Sequence, residues 1–429
     1  MLSWFRRPLS HEVKGNLFFL LKSQYWNIDQ IKAYQWDKLQ KIIRHAFSNV
    51  PYYRNIFVQL GICPDAILSI DDFTKIPVLT KNDMQQSLKE MVAEGVDISG
   101  LSLNSTGGST GMPLNFYQDD KYVLWADAAR LRAWRYMVGA TDADLEAVLW
   151  GAIRDVGKGL SINQVLRGVL RERALLLNTF DLDEALLLKY LSVYNFLKPP
   201  IMRGYASSLY YVARYIEANS LKIHKPFAIV SSTEVLHQRM RETIERVFSC
   251  KIFDSYGCRE ISQIATECEA HNGLHIVFEN QYVELDGQDI IVTNLNNYVM
   301  PFIRYKVGDL ASAIDHTPCS CGRHSPRIVS LMGRDNDNIE LPNGKVINGE
   351  FFEFLFFGIS SVIQYQIVYH RSLDRLEVKL HLKDNSVDVG GKVKRIMIDK
   401  FNYNNLDIIY GDSFDKTPTG KLRFVYSTN

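Results

Sequence analysis

The segment from residue 236 to residue 257 limits the folds open to this chain more than any other. A stripe of apolar side chains at helical spacing predicts an amphipathic helix over residues 236–248. A short apolar strand over residues 251–254 follows, and Tyr256 with Gly257 is expected to turn the chain out of it. A helix that leads into a short strand and a glycine turn is typical of an α/β layer, with functional groups at the strand ends.

The rest of the chain divides into a mainly helical beginning and a strand-rich end. The first hundred residues are expected to be helical, as over residues 39–50, where Pro51 ends the helix, and Glu184–Leu197 is a further helix. From about Leu274 onward the pattern changes to strands. The expected strands are residues 275–285 and 289–293 (a hairpin), 338–341 and 345–347 (a second hairpin), 363–369, 375–382 and 406–410, with helices after Gly349 and over residues 390–401.

These elements predict an α/β protein with two domains. The large N-terminal domain, residues 1–332, combines mixed sheets with flanking helices, and the small C-terminal domain, residues 333–429, is α+β. With 46% hydrophobic residues among 429, the chain can bury a substantial core.

Charge and hydropathy exclude other classes of protein. Lys and Arg number 49 against 48 Asp and Glu, so no basic footprint for nucleic acid is present. No run approaches the ~18 apolar residues of a transmembrane segment, and the start has no apolar centre of a secretion signal. A cytoplasmic protein is therefore expected, with its oligomeric state left open.

A polar, glycine-rich segment spans residues 105–113, and together with residues 102–104 it is expected to form a loop. It consists of Ser105, Thr106, Gly107, Gly108, Ser109, Thr110, Gly111, Met112 and Pro113. Glycines let backbone N–H groups approach an anion closely, and hydroxyl groups add donors for phosphate oxygens. The segment is not a Walker loop, because the glycine spacing differs and no lysine follows the last glycine. Taken alone, it fits a plain surface loop equally well.

Four later segments carry groups that suit a nucleotide. They are residues 256–260, 304–310, 333–337 and 419–423. Tyr256 at a strand end can stack on a purine, and Glu260 can bind Mg²⁺ beside phosphates. Asp309, which follows a glycine turn, suits the two hydroxyl groups of a ribose. Taken singly, each segment is more often an ordinary turn or a solvated charge.

In this order and spacing, the five segments resemble the motifs of the adenylate-forming superfamily of acyl-CoA synthetases, adenylation domains and luciferases. The resemblance is narrower to the phenylacetate–CoA ligase branch and its capsular-polysaccharide (CapK-like) relatives. The family loop T-S-G-T-T-G-x-P corresponds to residues 106–113, and R-Y-x-x-G-D-L matches residues 304–310 at every fixed position. The Y-G-x-x-E, G-R-x-D-D and late G-K motifs fall on residues 256–260, 333–337 and 420–421. The resemblance implies the adenylate-forming enzyme fold.

The resemblance also implies a role for each matched residue. The glycine-rich loop would hold the β- and γ-phosphates of ATP, and Lys421 would reach the substrate carboxylate and the α-phosphate. Glu260 would bind Mg²⁺, so the catalytic roles fall to Lys421 and Glu260. Asp309 and Arg334 would hold the ribose. The other residues implied in ATP binding are Ser232, Thr233, Glu234, Asp254, Ser255, Tyr256 and Gly257, with Asp254 and Tyr256 at the adenine.

Three positions depart from the family pattern. Gly107 stands where the loop often has serine, and Leu114 stands where lysine often follows the proline. Asn336 replaces the first aspartate of the implied domain hinge, whereas Asp337 is retained. This replacement puts the mechanics of the hinge in doubt, although Lys421 is present.

Residues 203–207 resemble a segment near the nucleotide or acyl pocket of the family. The alternative is a helix N-terminus with Ser207 as its cap. Segments 125–134 and 150–154 are candidates for the pocket walls, but their aromatic side chains, Trp125, Trp134 and Tyr136, more often belong to a core.

The six cysteines are too few for a disulfide scaffold in a chain of this length. Cys268, Cys319 and Cys321 with one histidine satisfy a closed, structural, tetrahedral Zn²⁺ site. His275 is favoured over His271, because its G-L-H-I segment resembles cysteine-containing members of the phenylacetate–CoA ligase branch. The alternative is two reduced, unrelated groups of cysteines.

The expected activity is ATP-dependent activation of a carboxylic acid as an acyl-adenylate. The acyl group would pass either to the thiol of CoA or to an amine or hydroxyl group of a sugar precursor in surface polysaccharide biosynthesis. Two alternatives stay open: adenylyl transfer to a cofactor hydroxyl, and a nucleotide-binding protein without turnover. The sequence does not identify the acid.

Overall fold

A computed structural model describes residues 9–105, 114–150, 161–179, 184–334, 339–343, 345–347, 349–356, 359, 361–383, 388–416 and 422–428. Its helices are α1 His11–Ser23, α2 Ile28–Asn49, α3 Pro51–Leu60, α4 Ile70–Phe73, α5 Lys81–Gln86, α6 Asp120–Trp134, α7 Ile162–Arg167, α8 Glu184–Leu197, α9 Ala206–Ala218, α10 Gln238–Phe248, α11 Gly349–Phe356 and α12 Val389–Phe401. The mixed α/β class predicted from the sequence is confirmed.

The strands form several separate sheets. They are β1 Ser102–Ser105, β2 Asn115–Gln118, β3 Glu146–Trp150, β4 Ala174–Asn178, β5 Ile201–Tyr205, β6 Ala228–Ser232, β7 Lys251–Cys258, β8 Ser262–Glu267, β9 Leu274–Ile276, β10 Gln281–Asp286, β11 Asp289–Asn294, β12 Tyr305–Ala311, β13 Ile314–Asp315, β14 Arg327–Ile328, β15 Leu331–Arg334, β16 Ile339–Glu340, β17 Val346–Ile347, β18 Val362–His370, β19 Arg375–Leu382, β20 Leu406–Tyr410 and β21 Val425–Thr428.

The N-terminal helices begin and end at residues that suit helix termini. The Asn27 side chain accepts a hydrogen bond from Gln30 N–H, and the Gln30 side chain accepts one from Asn27 N–H, which is a capping box. Helix α2 ends at Asn49, and Pro51 starts α3 at a position where its missing N–H costs nothing. Gly61 closes α3 with φ of +64°, a conformation that glycine adopts without strain. The predicted helical beginning is therefore confirmed.

The largest sheet has nine strands in the order β13-β14-β9-β8-β7-β6-β5-β3-β4. Strands β7, β6, β5, β3 and β4 run parallel, whereas β8, β9, β14 and β13 add antiparallel neighbours on one side. Because parallel strands end at one edge, the residues at the ends of β5, β6 and β7 lie side by side there.

Each face of the parallel strands packs against helices. Buried side chains of α8, α9 and α10 form one core with Leu149, Met202 and Ile229. On the opposite face, Ile201 and Val230 pack with residues that follow α6. Side chains alternate across a strand, so Arg203 and Tyr205 share the face of Ile201.

A second, antiparallel sheet, β10-β11-β12-β15, stands beside the large one. It forms a shared core with α2, α3 and the β1–β2 hairpin. The predicted hairpin between β10 and β11 is confirmed, with Asp286 paired to Asp289.

The C-terminal part has its own core, formed by residues between Ile339 and Val425. Its sheet has the order β20-β19-β18-β21 and is flanked by α11 and α12. Arg214 of α9 donates to the Val362 carbonyl across 3.0 Å, and Lys383 donates to the Ala218 carbonyl across 2.8 Å, so this part contacts the large one. The division at residue 333 stays a prediction, and β15 runs across that point while paired to β12.

Four expectations from the sequence are corrected. Tyr256 and Gly257 do not turn the chain, because β7 continues to Cys258 and pairs with β8. Residues 102–105 form β1 rather than a loop, since β2 pairs with them. The predicted strand over residues 275–285 is two strands, β9 and β10, which belong to different sheets. Helix α10 starts at Gln238, two residues after its predicted start.

Within the described ranges, no helix combines the length and the apolar character that crossing a membrane requires.

Candidate functional site

The carboxyl edge of the parallel strands brings together three of the segments singled out in the sequence. Tyr205, Ser232 and Ser255 are register partners at the ends of β5, β6 and across β7. Gly204, Ser231 and Asp254 form the preceding row. Backbone pairing alone therefore aligns the predicted acyl and adenine residues along one edge.

Asp254 is buried, and a second carboxylate, that of Glu267, contacts its backbone. Its N–H donates to Glu267 Oε2 across 2.9 Å, and its Oδ1 accepts from Ser255 N–H at the same distance. Burial, reinforced by the negative charge of Glu267, raises the pKa of Asp254 to about 7, whereas Arg241 opposes the rise. His271 and Arg241 hold the pKa of Glu267 below its usual range despite burial, so Asp254 binds a proton more tightly than Glu267 does.

Tyr256 joins the large sheet to the antiparallel sheet. Its hydroxyl donates to Asp309 Oδ2 across 3.0 Å, so the predicted adenine and ribose residues are in direct contact. Gly257 stands where β7 and β8 approach closely, and a Cβ there would lie 2.3 Å from the Ser262 carbonyl oxygen. The motif therefore needs glycine at this position for steric reasons.

Glu260 lies just beyond β7, against β2 and α6. Its carbonyl accepts from Gln118 Nε2 at 3.5 Å and from Tyr122 hydroxyl at 3.4 Å. The Tyr305 hydroxyl donates to Glu260 Oε1 across 3.4 Å. Glu260 is thus held through its backbone carbonyl, and its carboxylate contacts Tyr305 of β12, the strand that also carries Asp309.

Strands β1 and β2 flank the glycine-rich segment in the sequence and pair with each other. Ser105 ends β1, and Asn104 accepts from Arg259 Nη1 across 3.4 Å, which ties the hairpin to the Tyr256–Glu260 motif. Thr106, Gly107, Gly108, Ser109, Thr110 and Gly111 lie outside the described residues. Leu114, found where the family often has lysine, retains 1% of its accessible surface and packs into the core. Its side chain therefore serves packing.

The segment after β6 has an unusual backbone. Thr233 adopts φ of +74°, which is rare for a β-branched residue and marks a position held by its surroundings. Glu234 Oε2 accepts from the Ser207 N–H in the first turn of α9 across 2.8 Å. Ser207 is not the cap of that helix, because Tyr205 occupies the N-cap position. Glu234 thus stabilises the helix start with its negative charge.

Lys416, five residues before Lys421 in the sequence, contacts the chain just after β4. Lys416 and Leu422 form an antiparallel bridge, and Lys416 Nζ donates to the Thr179 carbonyl, just after β4, across 3.0 Å. Lys421 itself and the hinge residues Asn336 and Asp337 lie outside the described residues. The Arg334 backbone pairs with Asp309 in the antiparallel sheet.

Three cysteines and one histidine form a compact cluster on the antiparallel side of the large sheet. The ligand atoms of Cys268, His275, Cys319 and Cys321 all lie within 4.8 Å of one another. The Cys268 and Cys319 sulfur atoms are 3.8 Å apart, and Cys321 Sγ is 3.4 Å from His275 Nε2. Zn–S bonds of ~2.3 Å place two sulfur ligands about 3.8 Å apart in a tetrahedron, so the donor set fits this ion.

His275 is held as a metal ligand requires. Its Nδ1 is 2.9 Å from Ser325 Oγ, which leaves Nε2 facing the sulfur atoms. Burial lowers the pKa of His275 to about 4, so the imidazole is neutral. His271, the alternative, lies instead 3.3 Å from Glu267 and against the Phe253 ring.

Sequence reasoning missed Glu267, which is the partner of Asp254. Trp134, for which the sequence favoured a core position over a pocket wall, donates from Nε1 to Ser255 Oγ across 3.0 Å. Glu267 directly precedes Cys268, but only the pairing of β7 with β8 brings it to Asp254. No local pattern marks such contacts.

Comparison with known proteins gives homologues over nearly the whole chain, although no family model matches. Protein CapK of Staphylococcus aureus is 24% identical over 435 residues, which cover 96% of this chain and 94% of that protein. Phenylacetate-coenzyme A ligase of Pseudomonas putida is 24% identical over 381 residues, 83% of each chain. A crystal structure of 2-hydroxyisobutyryl-CoA ligase in the postadenylation state superimposes with a TM-score of 0.72 at 19% identity, covering 95% of this chain and 92% of the other. The chain therefore has the fold of the adenylate-forming ligases, and its homologues are CapK and phenylacetate–CoA ligases.

Proposed function

We propose that this protein activates a carboxylic acid with ATP as an acyl-adenylate and transfers the acyl group to the thiol of CoA. The observation that carries the proposal is the contact of Tyr256 with Asp309, which unites two nucleotide motifs 53 residues apart beside Glu260. The phenylacetate–CoA ligase relatives support CoA as the acceptor.

Each motif residue has a proposed part in holding ATP. Ser105 and the loop after it bind the β- and γ-phosphates through N–H and hydroxyl donors. The residues of the strand edge, Ser232, Thr233, Glu234, Asp254, Ser255, Tyr256 and Gly257, surround adenine and the acid, and Asp309 with Arg334 binds the ribose. Glu260 would hold Mg²⁺, which would neutralise charge on the phosphates.

In the first half-reaction, a carboxylate oxygen attacks the α-phosphorus of ATP. The bond from this phosphorus to the bridging oxygen breaks, and pyrophosphate leaves with the electron pair. Lys421 is proposed to stabilise the charge that develops on the carboxylate and the α-phosphate. The bridge between Lys416 and Leu422 supports this role, because Lys416 contacts the Thr179 carbonyl just after β4 and Leu422 follows Lys421 directly.

In the second half-reaction, the thiol of CoA attacks the acyl carbonyl carbon and AMP leaves. The small domain is proposed to rotate about Asn336 and Asp337, which moves Lys421 away and admits the thiol. Arg214, Lys383 and Lys416 make single hydrogen bonds between the two parts, and we propose that these bonds break during such a rotation.

The cysteine–histidine cluster is proposed to hold a structural Zn²⁺. Cys268, His275, Cys319 and Cys321 supply four ligands, which closes the site and leaves no position for a substrate. The ion would fix the end of β8 against the loop before β14, on the side of the sheet away from ATP.

A second candidate acceptor is an amine or hydroxyl group of a sugar precursor in surface polysaccharide biosynthesis. The reason for testing it is the resemblance to the CapK-like branch, and protein CapK matches over 96% of the chain. The adenylate half-reaction is the same for both.

Exchange of labelled pyrophosphate into ATP tests the first half-reaction. We expect exchange that depends on an added carboxylic acid, found with a panel of aliphatic and aromatic acids. Tight ATP binding without exchange for any acid would refute the proposal and favour a non-catalytic protein. Mass spectrometry of the products formed with CoA, or with a nucleotide-activated amino sugar, then distinguishes a thioester from an amide or ester.

A further inference from the structure

Arg203 on β5 is enclosed between two indole rings. Its guanidinium carbon lies 4.1 Å from the ring centre of Trp134 and 5.1 Å from that of Trp150. The side chain retains 6% of its accessible surface. The two aromatic rings thus hold the guanidinium group in position by cation–π contacts, and its donors lie in its own plane.

Among the residues that the structure describes, the carboxylate that contacts Arg203 is shared with a second arginine. Arg203 Nε donates to Glu146 Oε1 across 2.7 Å, while Glu146 Oε2 accepts from Arg135 Nη2 at 3.1 Å. Two guanidinium groups therefore share one buried carboxylate. Arg135 directs its remaining donors to the carbonyls of Thr141 and Asp144.

The two Nη groups of Arg203 have no such acceptor in the described part of the chain. Because the Arg203 side chain is largely buried, a ligand that brings an acceptor would stabilise these charged donors. A carboxylate offers two oxygens in the geometry of the guanidinium fork.

Arg203 lies close to the carboxyl edge of the parallel strands, because both of its indole neighbours contact residues at that edge. Trp150 packs against Tyr205 at 4.7 Å between ring centres, and Trp134 donates to Ser255. Arg203 precedes Tyr205 by two residues on the same face of β5, a spacing of about 7 Å along the strand. The guanidinium group therefore belongs to the face of β5 that leads to the strand edge proposed above to surround the acid, at a distance that the length of a short substrate could span.

We propose that Arg203 determines specificity by binding a second carboxylate of the substrate, so that the preferred acid is a short dicarboxylic acid. This inference rests on the proposed acyl-adenylate formation and identifies the class of acid. One carboxylate reacts at ATP while the other pairs with Arg203.

The test compares acids of equal length in the pyrophosphate exchange assay. Succinate, glutarate and adipate are paired with butanoate, pentanoate and hexanoate. For the wild-type protein we expect kcat/KM to be about 10- to 100-fold higher for at least one dicarboxylate than for its partner, as a charged hydrogen bond provides. Equal or better use of the monocarboxylates would overturn the inference and leave acyl-adenylate formation intact, whereas no exchange with any acid would refute both.

Two variants then assign the preference to Arg203. Arg203→Met keeps the length of the side chain and should remove the preference, while the KM for ATP changes less than twofold. Arg135→Met removes the other guanidinium of the cluster and should retain the preference. If Arg203→Met lowers kcat/KM equally for dicarboxylates and monocarboxylates, the arginines around Glu146 have only a structural role. Loss of the dicarboxylate preference in Arg135→Met would lead to the same conclusion.

Thermal unfolding accompanies each variant. If Arg203→Met does not fold, Arg203→Lys keeps the charge without the bidentate fork and should lower the preference by about tenfold. An unchanged preference in this variant would count against the inference.

Discussion

The Tyr256 hydroxyl and the Asp309 carboxylate form a 3.0 Å hydrogen bond between the two main sheets of the large part. Tyr256 belongs to β7 and Asp309 to β12, so the bond fixes the spacing of two strands that share no backbone pairing. The Tyr256 hydroxyl uses one lone pair of Asp309 Oδ2, so the remaining lone pairs of this carboxylate are the ones available to the ribose hydroxyl groups. The orientation of the carboxylate is set before ATP binds.

Removal of this hydroxyl is expected to weaken ATP binding. In Tyr256→Phe the ring stays available for stacking, but Asp309 loses the donor that orients it. We expect the KM for ATP to rise about 5- to 10-fold with little change in kcat, consistent with a hydrogen bond worth about 1 kcal/mol. The measurement is pyrophosphate exchange at varied ATP.

Tyr282→Phe is the matched control for Tyr256→Phe. It removes a hydroxyl from the antiparallel sheet that contains Asp309, where the Tyr282 ring packs on Phe73. Its KM for ATP should stay at the wild-type value. Equal KM values for both variants would show that the contact with Asp309 does not serve nucleotide binding.

The sequence predicts elements whose signals are local. Helix α8 and strands β19 and β20 have the predicted bounds, because helical spacing or alternation continues to their ends. The four strands β3–β6 were not predicted. They are short, buried apolar runs, and periodicity does not distinguish such runs from buried helix.

The candidate site shows the same difference between features with a local sequence signal and features that depend on long-range pairing. The motifs and the ligand set of Cys268, His275, Cys319 and Cys321 could be predicted because the resemblance and the ligand chemistry act through residue type. The Glu267–Asp254 contact and the enclosure of Arg203 by Trp134 and Trp150 depend on strand order, which the sequence does not display.

Loss of a ligand of the metal cluster is expected to lower stability. Cys319→Ser should reduce bound zinc from about one equivalent to near zero and lower Tm by several degrees, since closed zinc sites contribute directly to folding. Zinc content by elemental analysis and thermal unfolding measure the two effects. Cys63→Ser changes an exposed cysteine and should alter neither. A wild-type protein that purifies from zinc-containing medium without zinc would contradict the assignment.

Asp254 is expected to make stability depend on pH. Its pKa is about 7 in the folded protein and 3.8 for an ordinary aspartate, so the folded state binds this proton more tightly. Its contribution to folding is therefore lost progressively as pH rises from about 4 to 7 and stays lost above. Asp254→Asn should raise Tm by several degrees at pH 8 and leave it nearly unchanged at pH 4.5.

Asp65→Asn, at an exposed carboxylate, is the control for this comparison and should leave Tm within about one degree at both pH values. If Asp254→Asn shifts Tm equally at pH 4.5 and pH 8, the carboxyl group is not protonated in the folded protein. A lower ATP affinity of this variant at pH 8 would additionally support the proposed adenine contact.

Lys421→Ala is expected to separate ATP binding from chemistry. The ammonium group is proposed to act on the carboxylate and the α-phosphate only as the new bond forms, so its loss should slow acid-dependent pyrophosphate exchange about 100-fold or more. ATP affinity, measured by calorimetry, should change less than threefold. Lys416→Ala is the matched control, because it removes a lysine on the other side of the same bridge whose Nζ donates to the Thr179 carbonyl. It should slow exchange less than tenfold, whereas wild-type exchange in Lys421→Ala would exclude this lysine from the first half-reaction.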